Sequence, residues 1–254
     1  MCCFSGPVKS VSATNIFARM ETGERQLLVY RMSLETDKAV AMVLPLPVAK
    51  GSTEKAVRFI NLQKYPNFFD DLEKGFPVPP PPPSTGLENV PLSAGMNNTL
   101  TVFHVGDFEA SFVPSVKDFD RLDKQFRLPP AAFKKLPGYK NFGFAVFKLK
   151  PGAQNVHPMA FEFRTDLPMR LFFPTVHIHD GEVHAEAEFD HKLYCQPSEA
   201  LQLKMADWEE SPSLANKFMD MNKAGGIVLA EEHCYKHELH GMLPNRDTFA
   251  EART

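Results

Sequence analysis

Apolar residues in this chain occur mainly in short runs or in alternation with polar residues, and both patterns are typical of β-strands. Residues 26–33 and 39–46 form two such runs around a polar stretch, which predicts a hairpin with at least one well-buried strand. Residues 100–105 and 108–113 repeat this arrangement and predict a second hairpin. From residue 142 onward most of the pattern is again strand-like. The chain is therefore predicted to be rich in sheet.

Two segments with helical spacing follow these hairpins. Residues 66–75 have early acids, a late lysine and Gly75, which are signals for a short helix and its end. Residues 116–126 have apolar positions on one helical face, with Ser115 as the predicted N-cap. Because FFDDLEKGF in the first segment resembles DFDRLDKQF in the second, the pattern predicts an internal hairpin–helix duplication. The predicted fold class is α+β, a mostly antiparallel sheet with a few short helices.

The clearest break in the pattern is a proline-rich stretch. Residues 77–83 read PVPPPPP, and a polar, Asn-rich run follows them. Consecutive prolines favour the extended polyproline II conformation, which suits a surface connector or a ligand for an aromatic-lined groove. We expect a single domain over residues 1–254 with a Pro-rich excursion at 77–98. The alternative division is into two units, 1–76 and 99–254.

Charge and composition narrow the classes of partner. The net charge of −3, with acids and bases interspersed, gives no electrostatic footprint for nucleic acid or for an anionic membrane. No run of about 18 apolar residues is present to span a bilayer, and the start of the chain lacks the features of a secretory signal. We therefore expect a soluble, cytoplasmic protein with no nucleic-acid or membrane partner. The 4 cysteines include no Cys-x-x-Cys pair, so a disulfide framework or zinc ribbon is not indicated.

The most distinctive chemistry lies in residues 175–186, where an Asp-Gly pair separates two alternating runs. Asp-Gly is a strong signal for a two-residue hairpin turn, and alternation around it places four side chains on one face. These are His177, His179, Glu182 and His184. Imidazoles and a carboxylate on one face are a ligand set for Zn, Cu or Fe. The competing interpretation is a solvated polar face, because Glu186 and Glu188 extend it.

Further metal ligands are available elsewhere in the chain. His233 and His237 share a face whether residues 230–240 form a helix or a strand, and the apolar run before them favours a strand. Cys2 and Cys3 offer sulfur at the start of the chain. The leading hypothesis is therefore a transition-metal-binding protein, and one that acts on an unknown small molecule if the coordination sphere stays incomplete.

Cys2 supports an alternative hypothesis. If Met1 is removed, Cys2 carries a thiol and an α-amine with a pKa of about 7.7–8.0 on one residue. Such a residue can act as nucleophile and base together, which is the logic of N-terminal-nucleophile amidohydrolases. Separately, His191 and Cys195 could join Cys2 or Cys3 in a Cys/His site for zinc or copper, with a buried Cys195 thiol as the simpler interpretation. A third hypothesis is a non-catalytic interaction protein, in which the proline run and the hairpins form the contact surface.

A family resemblance covers roughly residues 2–174. It follows the cysteine-led start and four later segments, LLVYRMSLETDKAVAMVLPLPV, VGDFEASFVPSVKDFDRLDKQF, LPGYKNFGFAVFKLK and DLPMRLFFP. Together these resemble a family of bacterial proteins of unknown function whose exported members have an N-terminal cysteine in the mature chain. The chain departs from that family in lacking a signal peptide and in its His-rich remainder. The resemblance implies one compact unit with an exposed N-terminal cysteine, and it implies no activity.

Overall fold

The computed structural model describes residues 2–77, 103–105, 108–128, 137–179, 182–197 and 205–251. The strands in chain order are β1 (Cys2–Phe4), β2 (Ser10–Glu21), β3 (Arg25–Thr36), β4 (Val40–Leu46), β5 (Val57–Asn61), β6 (Phe103–Val105), β7 (Phe108–Val113), β8 (Gly143–Leu149), β9 (Gly152–Asn155), β10 (Met159–Arg164), β11 (Arg170–Phe173), β12 (His177–Ile178), β13 (Glu186–Gln196), β14 (Glu209–Glu210), β15 (Tyr235–Pro244) and β16 (Thr248–Glu251). The α-helices are α1 (Phe68–Lys74) and α2 (Met221–Ala224). Short 3-10 helices cover Val116–Arg121, Lys124–Phe126, Pro137–Tyr139 and Ala215–Lys217.

The strands form two large sheets and one small one. The six-stranded sheet has the order β12-β1-β4-β8-β7-β6. The eight-stranded sheet has the order β14-β15-β13-β2-β3-β10-β5, with β9 paired to β3, and β11 pairs with β16 alone. Most neighbours are antiparallel, but β1 and β12 run parallel to each other, as do β13 and β2. Strands from before and after the proline-rich run pair in both large sheets.

The core has three apolar layers, because the central strands are buried on both faces. In β4 every residue is buried, and successive side chains point to opposite sides of the sheet. Met42 and Leu44 pack in the layer shared with the eight-stranded sheet, while Ala41 and Val43 pack in the layer beneath the 3-10 helices. On the far side of the eight-stranded sheet, α1 and the region of α2 cover a third layer. Strands of this kind read as continuous apolar runs rather than as alternation.

The predicted α+β class with a hairpin–helix duplication is wrong, since the described chain is mostly β and its α-helices are short. The runs at 26–33 and 39–46 lie in β3 and β4, which belong to different sheets and do not form a hairpin. The second predicted hairpin does form, as β6 and β7. The two segments thought to be repeats also differ, because one is α1 and the other is two 3-10 helices.

Two further expectations concern the proline run and membranes. Residues 78–102, which hold most of the predicted excursion at 77–98, lie outside the described part of the chain. Within the described part, no helix combines the length and the apolar character needed to cross a membrane. The cytoplasmic location stays a prediction.

Candidate functional site

The tandem cysteines belong to the first strand of the six-stranded sheet. β1 lies between β4 and β12, and its Cys2 backbone is in parallel register with His177. The side chain of Cys3 is 0% exposed, whereas the side chain of Cys2 lies outside the described residues. The nucleophile hypothesis for Cys2 stays a prediction. An intact mass that retains Met1 would contradict it, because the α-amine of Cys2 would then be an amide.

The first arm of the predicted 175–186 hairpin pairs with β1 instead of with its own second arm. His184 and Glu182 are exposed and lie outside any strand, and Asp180 and Gly181 lie outside the described residues. Among the described residues, the predicted pairing of His177 with His184 is therefore not formed. The physical reason is burial, because pairing with β1 places Ile178 in the apolar layer beneath the six-stranded sheet.

A different trio of imidazoles is assembled instead. His177 Nε2 lies 3.0 Å from His191 Nε2, within hydrogen-bonding distance. The ring of His179 stacks on that of His177 with centroids 4.9 Å apart, and Phe189 lies against the same ring at 4.5 Å. His191 comes from β13 and is 2% exposed. The sequence pattern groups His191 with Cys195 and not with the histidines of residues 175–186, although its alternation with Leu193 and other buried apolar residues is a signal for an inward-facing histidine.

Burial keeps His177 and His191 uncharged. Removal from water, and after it the charge of His179, together lower the pKa of His177 to about 3. The pKa of His191 is also held well below its ordinary value, first by burial and then by His177. The hydrogen bond between the two rings needs an unprotonated partner, because two imidazolium rings offer only donors. At neutral pH the cluster is therefore a neutral hydrogen-bonded pair with a stacked third ring.

A polar turn that contains Asn245 and Asp247 forms hydrogen bonds with the outer edge of β12. Asn245 Oδ1 accepts from the His177 backbone N–H at 2.7 Å, and Asn245 Nδ2 donates to the His177 carbonyl at 2.9 Å. Asp247 Oδ1 accepts from the backbone N–H groups of Thr175 at 3.0 Å and of Val176 at 3.1 Å. Tyr139 donates its hydroxyl to the other oxygen of Asp247. The side chains of this turn therefore replace the neighbouring strand that β12 lacks.

His233 and His237, the second predicted pair of metal ligands, contact other segments of the chain. His233 Nδ1 lies 2.7 Å from the carbonyl of Ser211, and His237 Nδ1 lies 2.9 Å from the carbonyl of Asp207. His237 also packs on Trp208, with ring centroids 5.3 Å apart. His233, just before β15, and His237, within β15, thus connect this part of the chain to the segment that contains β14. Of residues 230–240, for which the sequence favoured a strand over a helix, residues 235–240 are strand and residues 230–234 are not.

Within the described ranges, no group of three or more His, Cys, Asp or Glu side chains is arranged to hold a metal ion. His177 and His179 do lie together, but Glu182 and His184 are exposed nearby and His233 and His237 contact other segments. Metal binding by Zn, Cu or Fe stays a prediction.

The buried thiols behave as small apolar side chains. Cys195 and Cys234 are 0% exposed, and burial raises the pKa of Cys195 well above its ordinary value. Burial likewise raises the pKa of Cys234 to about 12. Both groups are therefore neutral thiols at physiological pH, without the thiolate that nucleophilic chemistry needs.

A polar network fastens α1, the last described element before the proline-rich segment. Tyr194 donates its hydroxyl to Glu73 on α1, and Lys192 Nζ lies 3.0 Å from the same carboxylate. Burial alone would raise the pKa of Glu73, but the hydrogen bonds from Tyr194 and Lys192 outweigh it and hold that pKa below its ordinary value. At the other end of α1, Arg31 pairs with Asp70 at 2.8 Å. The helix is therefore fixed to the eight-stranded sheet by charge as well as by its apolar face.

The whole chain is similar in fold to a viral protein. No known family model matches the sequence. The crystal structure of baculovirus P35 matches with a TM-score of 0.50 and 14% sequence identity, over 97% of this chain and 98% of P35. At that identity the likeness establishes a common fold. It agrees with the mostly β architecture and does not bear on the bacterial resemblance, which stays a prediction.

P35 has also been crystallised in other states. A mutated baculovirus P35 after caspase cleavage matches with a TM-score of 0.48 and 13% identity, over 96% of this chain and 100% of that one. P35 in its complex with caspase-8 matches with a TM-score of 0.48 and 13% identity, over 95% of this chain and 96% of that one.

Proposed function

We propose that this chain is an interaction protein that binds a cysteine protease of the caspase class. The observation that carries the proposal is the likeness to baculovirus P35, which extends over 97% of this chain and 98% of P35. A mutated P35 has been crystallised after caspase cleavage, and P35 has been crystallised in a complex with caspase-8. A fold shared along nearly its full length can present the same kind of surface, although fold alone does not determine function.

The anchoring of α1 supports an interaction role. Tyr65 donates its hydroxyl to Asp71 at 2.8 Å and accepts from the backbone N–H of Asp220 at 2.8 Å, which ties the helix to the α2 region. Together with the Glu73 network, these bonds give the chain a rigid support directly before residues 77–83. Proline-rich sequence loses little conformational entropy on binding and is a recurrent recognition element. A rigid scaffold that carries such a sequence is suited to contact a partner.

Inhibition of caspase-8 tests the proposal. The purified chain is incubated with active caspase-8, and the residual rate on a fluorogenic peptide is measured against the ratio of chain to protease. We expect the rate to fall to background near stoichiometric ratios, with a trypsin-like serine protease unaffected. An unchanged caspase-8 rate with the chain at about 10 μM would refute this function, because that concentration makes even micromolar binding visible.

A variant in which Pro79–Pro83 are replaced by serine tests the contribution of the proline run. The matched control is Pro168→Ser, which changes an exposed proline in a turn far along the sequence. If the run contributes contacts, its replacement weakens inhibition while the control variant inhibits like the native chain. Equal inhibition by all three proteins would assign the contact to another surface of the same fold.

A further inference from the structure

A cleft on the six-stranded-sheet side of the molecule is lined by both apolar and basic side chains. Its volume is about 390 Å³, and three loops line it, at residues 48–52, 114–118 and 140–142. Volumes of this size are typical of small-molecule sites. We propose that this cleft binds a small amphiphilic anion, which places its charged group between Lys50 and Lys140 and its apolar body on the floor.

The floor of the cleft is apolar and fixed. Val48 is 4% exposed and forms an isolated β-bridge with Thr165. Phe142 packs edge-on against Tyr139 and Phe172, with ring centroids 5.1 Å and 6.0 Å away. Pro114 adds a third apolar surface. An apolar ligand body placed here would remove both itself and these side chains from water.

Rigid turns form the walls. The Ser52 backbone N–H and hydroxyl both donate to the Ala49 carbonyl, at 3.2 Å and 2.6 Å, and Gly51 between them has a φ of 76°. On the opposite wall the Ser115 hydroxyl donates to Asp118 at 2.7 Å, and the Asp118 N–H donates back to the Ser115 carbonyl at 3.0 Å. Walls fixed in this way lose little freedom when a ligand binds.

The charges around the cleft favour an anion. Lys50 and Lys140 both line it, and neither forms an ion pair with any carboxylate in the described part of the chain. The one acidic side chain in the lining, Asp118, already receives the Ser115 hydroxyl and lies 3.5 Å from Arg121. Two lysines without a carboxylate partner in the described residues therefore line the cleft together with one carboxylate that is already hydrogen-bonded. A carboxylate or sulfonate on an apolar body matches both the charges and the floor.

Naphthalene sulfonate serves as the probe, and its binding is mapped by amide chemical shifts of the full chain. We expect saturable shifts confined to residues 48–52, 114–118 and 140–142. The neutral analogue naphthalene methanol should bind about tenfold more weakly, because it keeps the apolar contact and lacks the charge. Shifts scattered over the surface, or equal affinity for the neutral analogue, would overturn the proposal.

Two double variants distinguish binding at the cleft from attraction by the net charge of the chain. Lys50→Gln with Lys140→Gln should weaken binding of naphthalene sulfonate about tenfold, because two partly exposed charge contacts are lost. Lys38→Gln with Lys64→Gln makes the same change in net charge at exposed positions outside the cleft and should leave the affinity unchanged within about twofold. All four positions are exposed, so the fold is preserved, and amide spectra of each variant verify it. Equal losses in both double variants would show that only net charge matters and would refute the site.

Discussion

Replacing Gln26 by methionine should destabilise the protein strongly, because this side chain substitutes for a missing strand. Gln26 is 0% exposed in β3, and its Nε2 donates to the Phe172 carbonyl at 2.7 Å. Its Oε1 accepts from the Phe172 N–H at 3.1 Å, so one amide satisfies both backbone groups of a residue in β11. Methionine keeps the length of the side chain and packs well in apolar surroundings. It cannot make either bond.

The magnitude follows from the two groups left without partners. Phe172 is 0% exposed, so water does not replace the lost amide. Each unsatisfied buried group costs about 1–3 kcal/mol, which gives about 4 kcal/mol for the pair. For a chain of this size, that loss lowers the midpoint of thermal unfolding by about 8–16 °C.

The assay is thermal and urea unfolding of the native chain, Gln26→Met and the control Gln63→Met. Gln63 is exposed, so its replacement should change stability by less than about 0.5 kcal/mol. If Gln26→Met unfolds within about 1 kcal/mol of the native chain, the amide does not hold β11 in place. The two bonds from Gln26 would then not stabilise the small sheet of β11 and β16.

Three further predictions concern the site. Asn245→Ala should lower the free energy of unfolding by about 2 kcal/mol, because it removes both hydrogen bonds to the His177 backbone at the outer edge of β12. The His177 amide hydrogen should then exchange with solvent faster, while the amide hydrogens of β13 should not. Glu73→Gln should make the free energy of unfolding depend less on pH in acid. The reason is that a carboxylate with a lowered pKa stabilises the native chain at pH values above its ordinary pKa, and this contribution is lost as the pH falls. An equally steep loss of stability in the variant would contradict the network. The metal hypothesis predicts about one Zn, Cu or Fe ion per chain in protein purified without a His-tag, and less than about 0.2 would end it.

The sequence predicted individual elements better than their pairing. The helix at Phe68–Lys74 was predicted because acids, lysine and Gly75 are local signals that tertiary contacts reinforced. The strand at Tyr235–Pro244 was favoured by the apolar run before it. Residues 26–46 failed as a hairpin because both runs are buried on two faces, and a doubly buried strand carries no alternation to identify its neighbour.

The site was harder to predict because long-range pairing forms it. A local Asp-Gly signal favoured pairing within residues 175–186, whereas the structure pairs His177 with Cys2, far away in the sequence. Residues 116–126 show a similar limit: Val116 and Phe119 are spaced by three, which fits a 3-10 helix as well as an α-helix. His191 was identifiable as a buried residue from its strand pattern, but its contact with His177 depends on how the two sheets pack.

The most direct test of the proposed function is the elution of caspase-8 with the native chain on a size-exclusion column, followed by intact-mass analysis of the peak. We expect a single earlier peak that contains both proteins in a fixed ratio and has no residual activity on the fluorogenic peptide. Separate elution of two unchanged proteins, with full protease activity, would contradict it.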